Sequence, residues 1–151
     1  MALDDDIALL ARVPMLGSIE KEALRLLAFS AEPRVLRAGD VLFRKNDPAD
    51  GGFVVASGAV TLLADDEVTP LAVAEAGSLL GEIALISETR RPATAIAREP
   101  TTVLRLARVL FRRTLEEYPH VAERIAREIH ARMVATTSGL AEVKHKLDRI
   151  G

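Results

Sequence analysis

A carboxylate and an arginine stand close together in the stretch GEIALISETRRPATAIA, which covers residues 81–97. Arg91 is a permanently charged donor whose forked geometry matches phosphate oxygens. Glu82 lies beside an apolar run, where it would either cap a one-turn helix over Glu82–Ser87 or accept hydrogen bonds from the hydroxyls of a sugar. The pair favours a site for a sugar phosphate or a nucleotide over a structural ion pair.

The residues around this pair leave space for such a ligand. Ile83 and Ala84 would open the short helix, and a helix N-terminus offers an anion free backbone N–H groups and the positive end of the peptide dipoles. Ala84, Ala93 and Ala95 are small, so a ligand can approach the backbone closely. We therefore predict a phosphate-binding arginine and a sugar-hydroxyl acceptor at one turn of the chain.

Short β-type runs surround this turn, and each is bounded by Gly, Pro, Asp or Asn residues. Many short, evenly spaced strands without intervening helices predict an antiparallel sandwich or jelly-roll barrel and not a doubly wound parallel sheet. The predicted strands lie near Arg34–Arg37, Val41–Phe43, Phe53–Ala56, Ala59–Ala64, Leu71–Ala74, Thr94–Ala97 and Thr102–Leu106.

Apolar residues recur at steps of three and four near both ends of the chain, which is the spacing of an amphipathic helix. At the N-terminus this spacing predicts one helix over residues 3–13 and a second from an N-cap at Ser18 to about Phe29. Helix returns at about residue 108, breaks at Pro119 and then runs long. The basic residues of this region could contact an anionic partner, but we expect them on a solvated helix face: Arg105, Arg108, Arg112 and Arg113.

The long C-terminal helix carries a heptad-like seam of about four heptads. A seam of this length exceeds what a small barrel can cover, which favours pairing with a second copy of the chain over packing on its own domain. Gly139 and Thr136 within the seam weaken a helix and count against pairing. The seam consists of Ala122, Ala126, Ile129, Met133, Thr136, Leu140, Val143, Leu147 and Ile150.

The composition indicates one globular domain. Its 151 residues are 49% hydrophobic and 28% charged, there is no cysteine, and the N-terminus lacks the apolar run of a signal peptide or a membrane span. We therefore expect an intracellular protein, with no membrane channel within this chain. The three histidines lie 10 and 15 residues apart, and no nucleophile elbow or Walker loop is present, so we expect neither a metal site nor catalysis.

The charge is distributed unevenly along the chain. The net charge is −2, yet residues 1–75 carry 7 Lys/Arg against 13 Asp/Glu, whereas residues 76–151 carry 13 against 9. The overall balance argues against nucleic acid as a partner, and the second half is the more favourable environment for an anion.

The stretch that contains the Glu–Arg pair resembles the phosphate-binding cassette of the cyclic-nucleotide-binding domain family. The family pattern is roughly Gly-Glu-Leu-Ala-Leu, a short gap and Arg-Ala-Ala-Thr; this chain has GEIAL at residues 81–85, a five-residue gap and RPAT at residues 91–94. AGDVLFRKNDPADGGFVVASGAVTL resembles the first barrel strands of the family, and LEEYPHVAERIAREIHARM resembles its hinge and lid helices.

The resemblance implies a mainly β fold with flanking helices, an eight-stranded antiparallel β-roll in a single domain over residues 1–151. N-terminal helices would occupy residues 1–30. The roll would occupy residues 31–107 and contain the cassette at residues 81–95. Hinge and lid helices would follow at residues 108–151.

The resemblance also assigns roles within the cassette. The backbone of Gly81 and the carboxylate of Glu82 would hold the ribose 2′-OH. Arg91 would pair with the cyclic phosphate, helped by the backbone N–H of Ala84. Pro92 departs from the Ala, Ser or Thr of many members and has no backbone N–H to donate, so either binding is weakened or Ala93 replaces the missing donor.

Pro92 also lacks the hydroxyl that many cGMP-preferring members carry at this position, which favours cAMP over cGMP. Aligned from Pro119, the long helix is similar to the lid helix of the catabolite activator type of this family. That alignment places Thr136 and Thr137 where the type contacts the adenine amino group, with one residue from each subunit. The alternative is that these threonines and Ser138 mark a weak point in the helix.

The function implied by the resemblance is a cytoplasmic regulatory domain that binds cAMP or cGMP as its ligand, requires no further cofactor and acts on an effector protein that the sequence does not name. A homodimer through the C-terminal helix is expected. The transcription factors of the family continue into a helix-turn-helix that this sequence lacks, so we do not expect direct nucleic-acid binding. Two alternatives remain: an interaction scaffold that has lost the ligand, and the N-terminal piece of a longer transcription regulator.

Overall fold

The structure, a computed structural model, describes residues 2–17 and 19–131. Two helices open the chain, α1 (Ala2–Arg12) and α2 (Lys21–Ser30). The predicted N-cap at Ser18 lies outside the described residues, but α2 begins later than predicted, with Glu20 at its N-cap position and no side-chain cap hydrogen bond. Packing positions this helix end, because Ala23, Leu24, Leu27 and Ala28 are buried.

Ten strands follow within the described residues, all of them in antiparallel pairs. One four-stranded sheet has the order β1-β10-β4-β7, and a second has the order β2-β9-β5-β6. The strands of the first sheet are β1 (Glu32–Leu36), β4 (Gly51–Ser57), β7 (Leu79–Leu80) and β10 (Thr101–Ala107). Those of the second are β2 (Val41–Phe43), β5 (Ala59–Leu63), β6 (Pro70–Glu75) and β9 (Thr94–Ala97).

The predicted mainly β fold with flanking helices is confirmed, whereas the strand count differs from the expected eight. The two four-stranded sheets contain eight strands, and a separate ribbon adds β3 (Pro48–Ala49) and β8 (Thr89–Arg90). These two strands and β7 escaped sequence analysis because each is only two residues long and therefore shows no alternation.

Strand β4 separates two hydrophobic clusters, which explains why the run Phe53–Ala56 within it is apolar at every position. Phe53 and Val55 point into the interior of the roll, while Val54 points toward the helices. Strand β10 divides in the same way, with Val103 in the roll and Leu104 on the helical side. Alternate residues of a strand face opposite sides, so a sheet covered on both sides needs apolar residues at every position.

Two helices close the described chain. Helix α3 (Arg108–Glu116) follows β10 directly, and a helix that we call α4 begins at Pro119 and continues to residue 131, where the described residues end. Proline suits the first helical position because its missing N–H would have no partner there. Every helix of the described residues is too short or too polar to span a lipid bilayer.

Helix α4 packs on its own domain. Val121, Ile125 and Ile129 are buried among the apolar residues of the N-terminal helices and α3. Ile129 of the predicted dimerisation seam is therefore buried against its own chain, whereas Ala126 of the same seam is exposed. Over this stretch the intrachain alternative describes the helix better than self-pairing, and the rest of the seam, from Met133 onward, lies outside the described residues.

Candidate ligand-binding site

The predicted cassette connects the first sheet to the second along the chain, and it begins at Gly81, which follows β7. A single turn of 3₁₀ helix, the cassette turn (Ile83–Leu85), comes next. Gly81 has φ of +80°, and a Cβ atom here would overlap Nη1 of Arg91 and lie 3.2 Å from the carbonyl oxygen of Gly51. Glycine is required on both counts, since other residues are strained at this φ and would displace the arginine.

The backbone of Arg91 is fixed by hydrogen bonds on both sides. Its N–H donates to the carbonyl oxygen of Asp47 at 2.9 Å, and its own carbonyl oxygen accepts from the N–H of Asn46 at 2.8 Å. Asn46 adopts φ of +71°, a conformation that asparagine tolerates better than most residues. The loop between β2 and β3 therefore holds the arginine in place, although it lies more than forty positions earlier in the chain.

The side chain of Arg91 points into the roll and is only 4% exposed. Its guanidinium carbon lies 4.6 Å from the ring centre of Phe43 and 5.4 Å from that of Phe53. The two rings are stacked with centres 6.0 Å apart. A cation over aromatic faces is stabilised by the ring quadrupole, so the two phenylalanines form an aromatic platform for the guanidinium.

The guanidinium of Arg91 nevertheless keeps an unused donor. Nη1 is buried and has no hydrogen-bond acceptor in the described part of the protein, and no carboxylate there forms an ion pair with Arg91. Asp50 is instead held by Arg105 at 2.7 Å. Burial lowers the pKa of Arg91 from its ordinary value, against an opposing effect of the charges of Asp50 and Asp47. An anion beside Nη1 would satisfy this donor.

Glu82 occupies the N-cap position of the cassette turn and is half-buried. It makes no side-chain cap hydrogen bond to the turn, so the capping alternative from the sequence is wrong. The N–H of Ala84, expected to help bind a phosphate, donates to the carbonyl oxygen of Gly81 at 3.1 Å. A ligand would therefore have to share this N–H with the turn itself.

Pro92 is exposed, and Ala93 after it is buried. The backbone N–H of Ala93 has no hydrogen-bond acceptor among residues 2–17 and 19–131. This group is the donor that the sequence offered as a replacement for the one missing at Pro92. The structure thus brings Gly81, Arg91 and the cassette turn together, while Thr136 and Thr137 lie outside the described residues.

The aromatic platform was not predicted from the sequence. The chain has only four Phe and one Tyr, and two of these five residues lie under one arginine. That scarcity was a usable signal, but the pairing itself depends on strands β2 and β4 meeting across the roll.

The expectation that four arginines lie on a solvated helix face is also wrong for Arg105 and Arg108. Arg105 lies on strand β10, where it pairs with Asp50 at 2.7 Å and Glu32 at 3.5 Å and leaves its side chain 17% exposed. Arg108 donates to three backbone carbonyl groups. Arg112 and Arg113 are exposed, as predicted.

The model of the cyclic nucleotide-binding domain family matches residues 33–118. The chain belongs to this family. The resemblance drawn from the cassette is thereby confirmed, and membership supports the binding of a cyclic nucleotide and a regulatory rather than a catalytic role.

Known relatives agree in fold and sequence. A cyclic nucleotide-binding-like protein from Brucella abortus is 43% identical, with a TM-score of 0.68 over 75% of this chain and 99% of that one. The N-terminal domain of a transcriptional regulator from Streptomyces coelicolor is 30% identical, with a TM-score of 0.75 over 87% of this chain and 94% of that one. A cyclic nucleotide-gated potassium channel of Rhizobium etli is 34% identical over 78% of this chain, which spans 32% of the channel's length.

Proposed function

We propose that the chain binds a cyclic mononucleotide, with cAMP preferred over cGMP, and acts as a ligand-responsive regulatory domain. The observation that carries this proposal is the buried guanidinium of Arg91, whose Nη1 has no acceptor in the described part of the protein. A cyclic phosphate supplies charged oxygens to this donor at a place where water is largely excluded and an ion pair is correspondingly strong. A ligand without an acceptor atom at this position would leave the donor unused, and a charged oxygen forms the stronger bond.

The groups around Arg91 suit the rest of a nucleotide. Glu82 stands at the start of the cassette turn, and its carboxylate is assigned to the ribose 2′-OH, as the resemblance to the family implies. The unused N–H of Ala93 is assigned to the phosphate as a second donor. The small side chains of Ala84 and Ala95 are buried beside them.

The preference for cAMP rests on Pro92. A proline supplies neither a backbone N–H nor a hydroxyl, so it cannot make the contact that a Ser or Thr would make to a guanine ligand. Pro92 is exposed at the edge of the cassette. The proposed contact of Thr136 and Thr137 with adenine lies outside the described residues and adds an independent test of the same preference.

A groove beside the cassette supports a response to the ligand. It has a volume of about 460 Å³ and lies between Ile86 after the cassette turn, Phe111 of α3 and Ala122 of α4. Helix α4 therefore has space to move toward the cassette without unpacking the roll. We propose that a bound phosphate draws the cassette inward and that the hinge around Phe111–Pro119 rotates the lid helix toward the base, as a shift between two populated states.

Several further properties belong to this proposal. Residues 1–151 act as one domain, the active form is a homodimer through the C-terminal helix, and the response is passed to an effector protein in the cytoplasm. The absence of cysteine suits a reducing compartment.

Isothermal titration of the full chain with cAMP and with cGMP tests the proposal. We expect the native chain to bind both, with the higher affinity for cAMP. Arg91→Ala should lose about 2–5 kcal/mol of affinity, the range for removing one partner of a buried charge pair. Arg98→Ala is the matched control, because Arg91 and Arg98 lie on either side of β9 and Arg98 is exposed. Native affinity in Arg91→Ala would refute the assignment of the phosphate site.

Two alternatives have specific outcomes in the same experiment. Failure of the native chain to bind either nucleotide would support an interaction scaffold that has lost the ligand, for which Pro92 is the motivating departure. The similarity to the N-terminal domain of a transcriptional regulator supports a role as the sensory part of a longer regulator. In that case nucleotide binding is retained and the effector is a DNA-binding domain.

A further inference from the structure

Arg108, the first residue of α3, connects this helix to the cassette turn. Its Nη1 donates to the carbonyl oxygens of Ala84 at 3.2 Å and Ser87 at 3.0 Å, and to that of Ala49 in β3 at 3.0 Å. Its backbone N–H donates to the carbonyl oxygen of Asp50 at 2.7 Å. One residue therefore joins the cassette turn, the β3–β8 ribbon and the start of α3.

The place of this cation argues that the contact is specific. A positive charge in the first turn of a helix opposes the helix dipole, and the first turn of α3 contains no acidic residue to balance it. The carbonyl groups of Ala84 and Ser87 compensate, since they carry partial negative charge at the C-terminal side of the cassette turn. All three side-chain bonds come from Nη1, which carries two N–H groups, so at least one N–H is shared between two carbonyl oxygens.

The cassette turn consequently lies between two arginines. Gly81, just before the turn, contacts the guanidinium of Arg91, and the carbonyl oxygens at the end of the turn accept from Arg108. The turn also holds itself together, because the N–H groups of Ile86 and Ser87 both donate to the carbonyl oxygen of Ile83. Hydrogen bonds of the turn therefore connect the Arg91 end to the Arg108 end.

We propose that Arg108 is a positioning residue that transmits displacement of the cassette turn to α3. This inference rests on the proposed function, because the displacement is attributed to a bound cyclic phosphate. Arg108 itself does not contact the ligand. Its role is to make the start of α3 follow the turn, so that the state of the phosphate site is passed to the helices beyond it.

Amide hydrogen exchange on the full chain tests the ligand-free part of the proposal. In Arg108→Met we expect exchange of the Leu85, Ile86 and Ser87 amides to become about tenfold faster, since the turn loses its tie to α3. Arg108→Lys keeps the charge with fewer directed donors and should show a smaller increase. Arg113→Met, an exposed substitution on the same helix, should match the native chain. Unchanged exchange of the turn in Arg108→Met would overturn the proposal.

The same exchange experiment with saturating cAMP tests transmission. In the native chain, cAMP should change exchange in both the cassette turn and α3. Arg108→Met should still bind cAMP in calorimetry and respond in the turn, but lose the response in α3. If α3 of Arg108→Met responds to cAMP as in the native chain, the role of Arg108 is overturned and the proposed function stands. If the native chain does not bind cAMP, both the role of Arg108 and the proposed function are overturned. If Arg108→Met does not fold, Arg108→Gln replaces it, because glutamine also removes the charge, and a full α3 response in Arg108→Gln overturns the proposal.

Discussion

Replacing Arg91 with methionine should weaken ligand binding without destabilising the ligand-free domain. Arg91→Met removes the buried guanidinium and keeps an unbranched apolar side chain over Phe43 and Phe53. The backbone hydrogen bonds of residue 91 with Asp47 and Asn46 do not depend on the side chain and should remain. Arg91→Met should therefore lower the affinity for cAMP while leaving the stability of the ligand-free domain intact. Replacing an arginine that only stabilises the fold would lower the stability as well.

The magnitude follows from the contacts of the guanidinium. A buried donor without an acceptor costs about 1–3 kcal/mol, and Nη1 of Arg91 is such a donor. The substitution removes two cation–π contacts of about 2 kcal/mol each, the value for a desolvated cation, but it also recovers the several kcal/mol that desolvation of the buried charge costs. A methionine sulfur over the same rings restores about 0.3–1.5 kcal/mol more. We expect the free energy of unfolding to stay unchanged or to rise by about 2 kcal/mol. The affinity for cAMP should fall by about 2–5 kcal/mol, or roughly 30- to 4000-fold.

Urea unfolding and calorimetry measure the two quantities separately. At about 100 times the native Kd, cAMP should raise the free energy of unfolding of the native chain by about 2.7 kcal/mol and that of Arg91→Met by at most about 0.9 kcal/mol, the value for a roughly 30-fold loss of affinity. Arg98→Met serves as the control and should stay within about 0.5 kcal/mol of the native chain. A loss of more than about 1 kcal/mol of ligand-free stability in Arg91→Met would refute the reasoning, because it would mean that the guanidinium stabilises the fold on balance.

Three further substitutions or deletions test the site and the assembly. Gly81→Ala should destabilise the domain by about 1–2 kcal/mol through its positive φ and, by displacing Arg91, weaken cAMP binding at least about tenfold in the same two assays. Pro92→Ser restores a backbone N–H and adds a hydroxyl, so calorimetry should show cGMP affinity rising relative to cAMP; a loss of affinity for both would show that the proline shapes the loop instead. Removing residues 138–151 should convert a dimer to a monomer in sedimentation equilibrium, since each fully buried Leu or Ile of the seam contributes about 1.5–3 kcal/mol. A monomeric full chain at tens of micromolar, with and without cAMP, would contradict the dimer.

The sequence by itself determined the class of fold and the order of the cassette. Strands β2 and β9 were predicted to the residue, because alternating apolar runs between turn residues are local signals. The Glu82 to Arg91 spacing and the glycine before it were sufficient to indicate a phosphate site. These features are encoded within a few neighbouring residues, so no knowledge of distant contacts was needed.

Features that depend on distant partners could not be predicted in this way. Strands β3 and β8 are two residues long and exist only because Pro48 pairs with Arg90 across more than forty positions. Helix α2 begins at Lys21 because burial of its apolar face determines its ends, and local capping signals do not reveal this. The packing of Ile129 within the chain is likewise decided by where the N-terminal helices lie.

The electrostatic state of the site was decided by tertiary structure alone. A sequence shows that Arg91 is charged, but whether it meets a carboxylate depends on which strands converge on it. Phe43 and Phe53 lie beneath it, and Asp50 pairs with Arg105 instead. Nη1 of Arg91 is therefore left without an acceptor in the described part of the protein. The sequence predicted Arg108 to be solvated, but the fold places the backbone carbonyl groups of Ala49, Ala84 and Ser87 around its guanidinium. Charge is a property of the residue, whereas its compensation is a property of the fold, because burial and partners arise only when distant segments pack together.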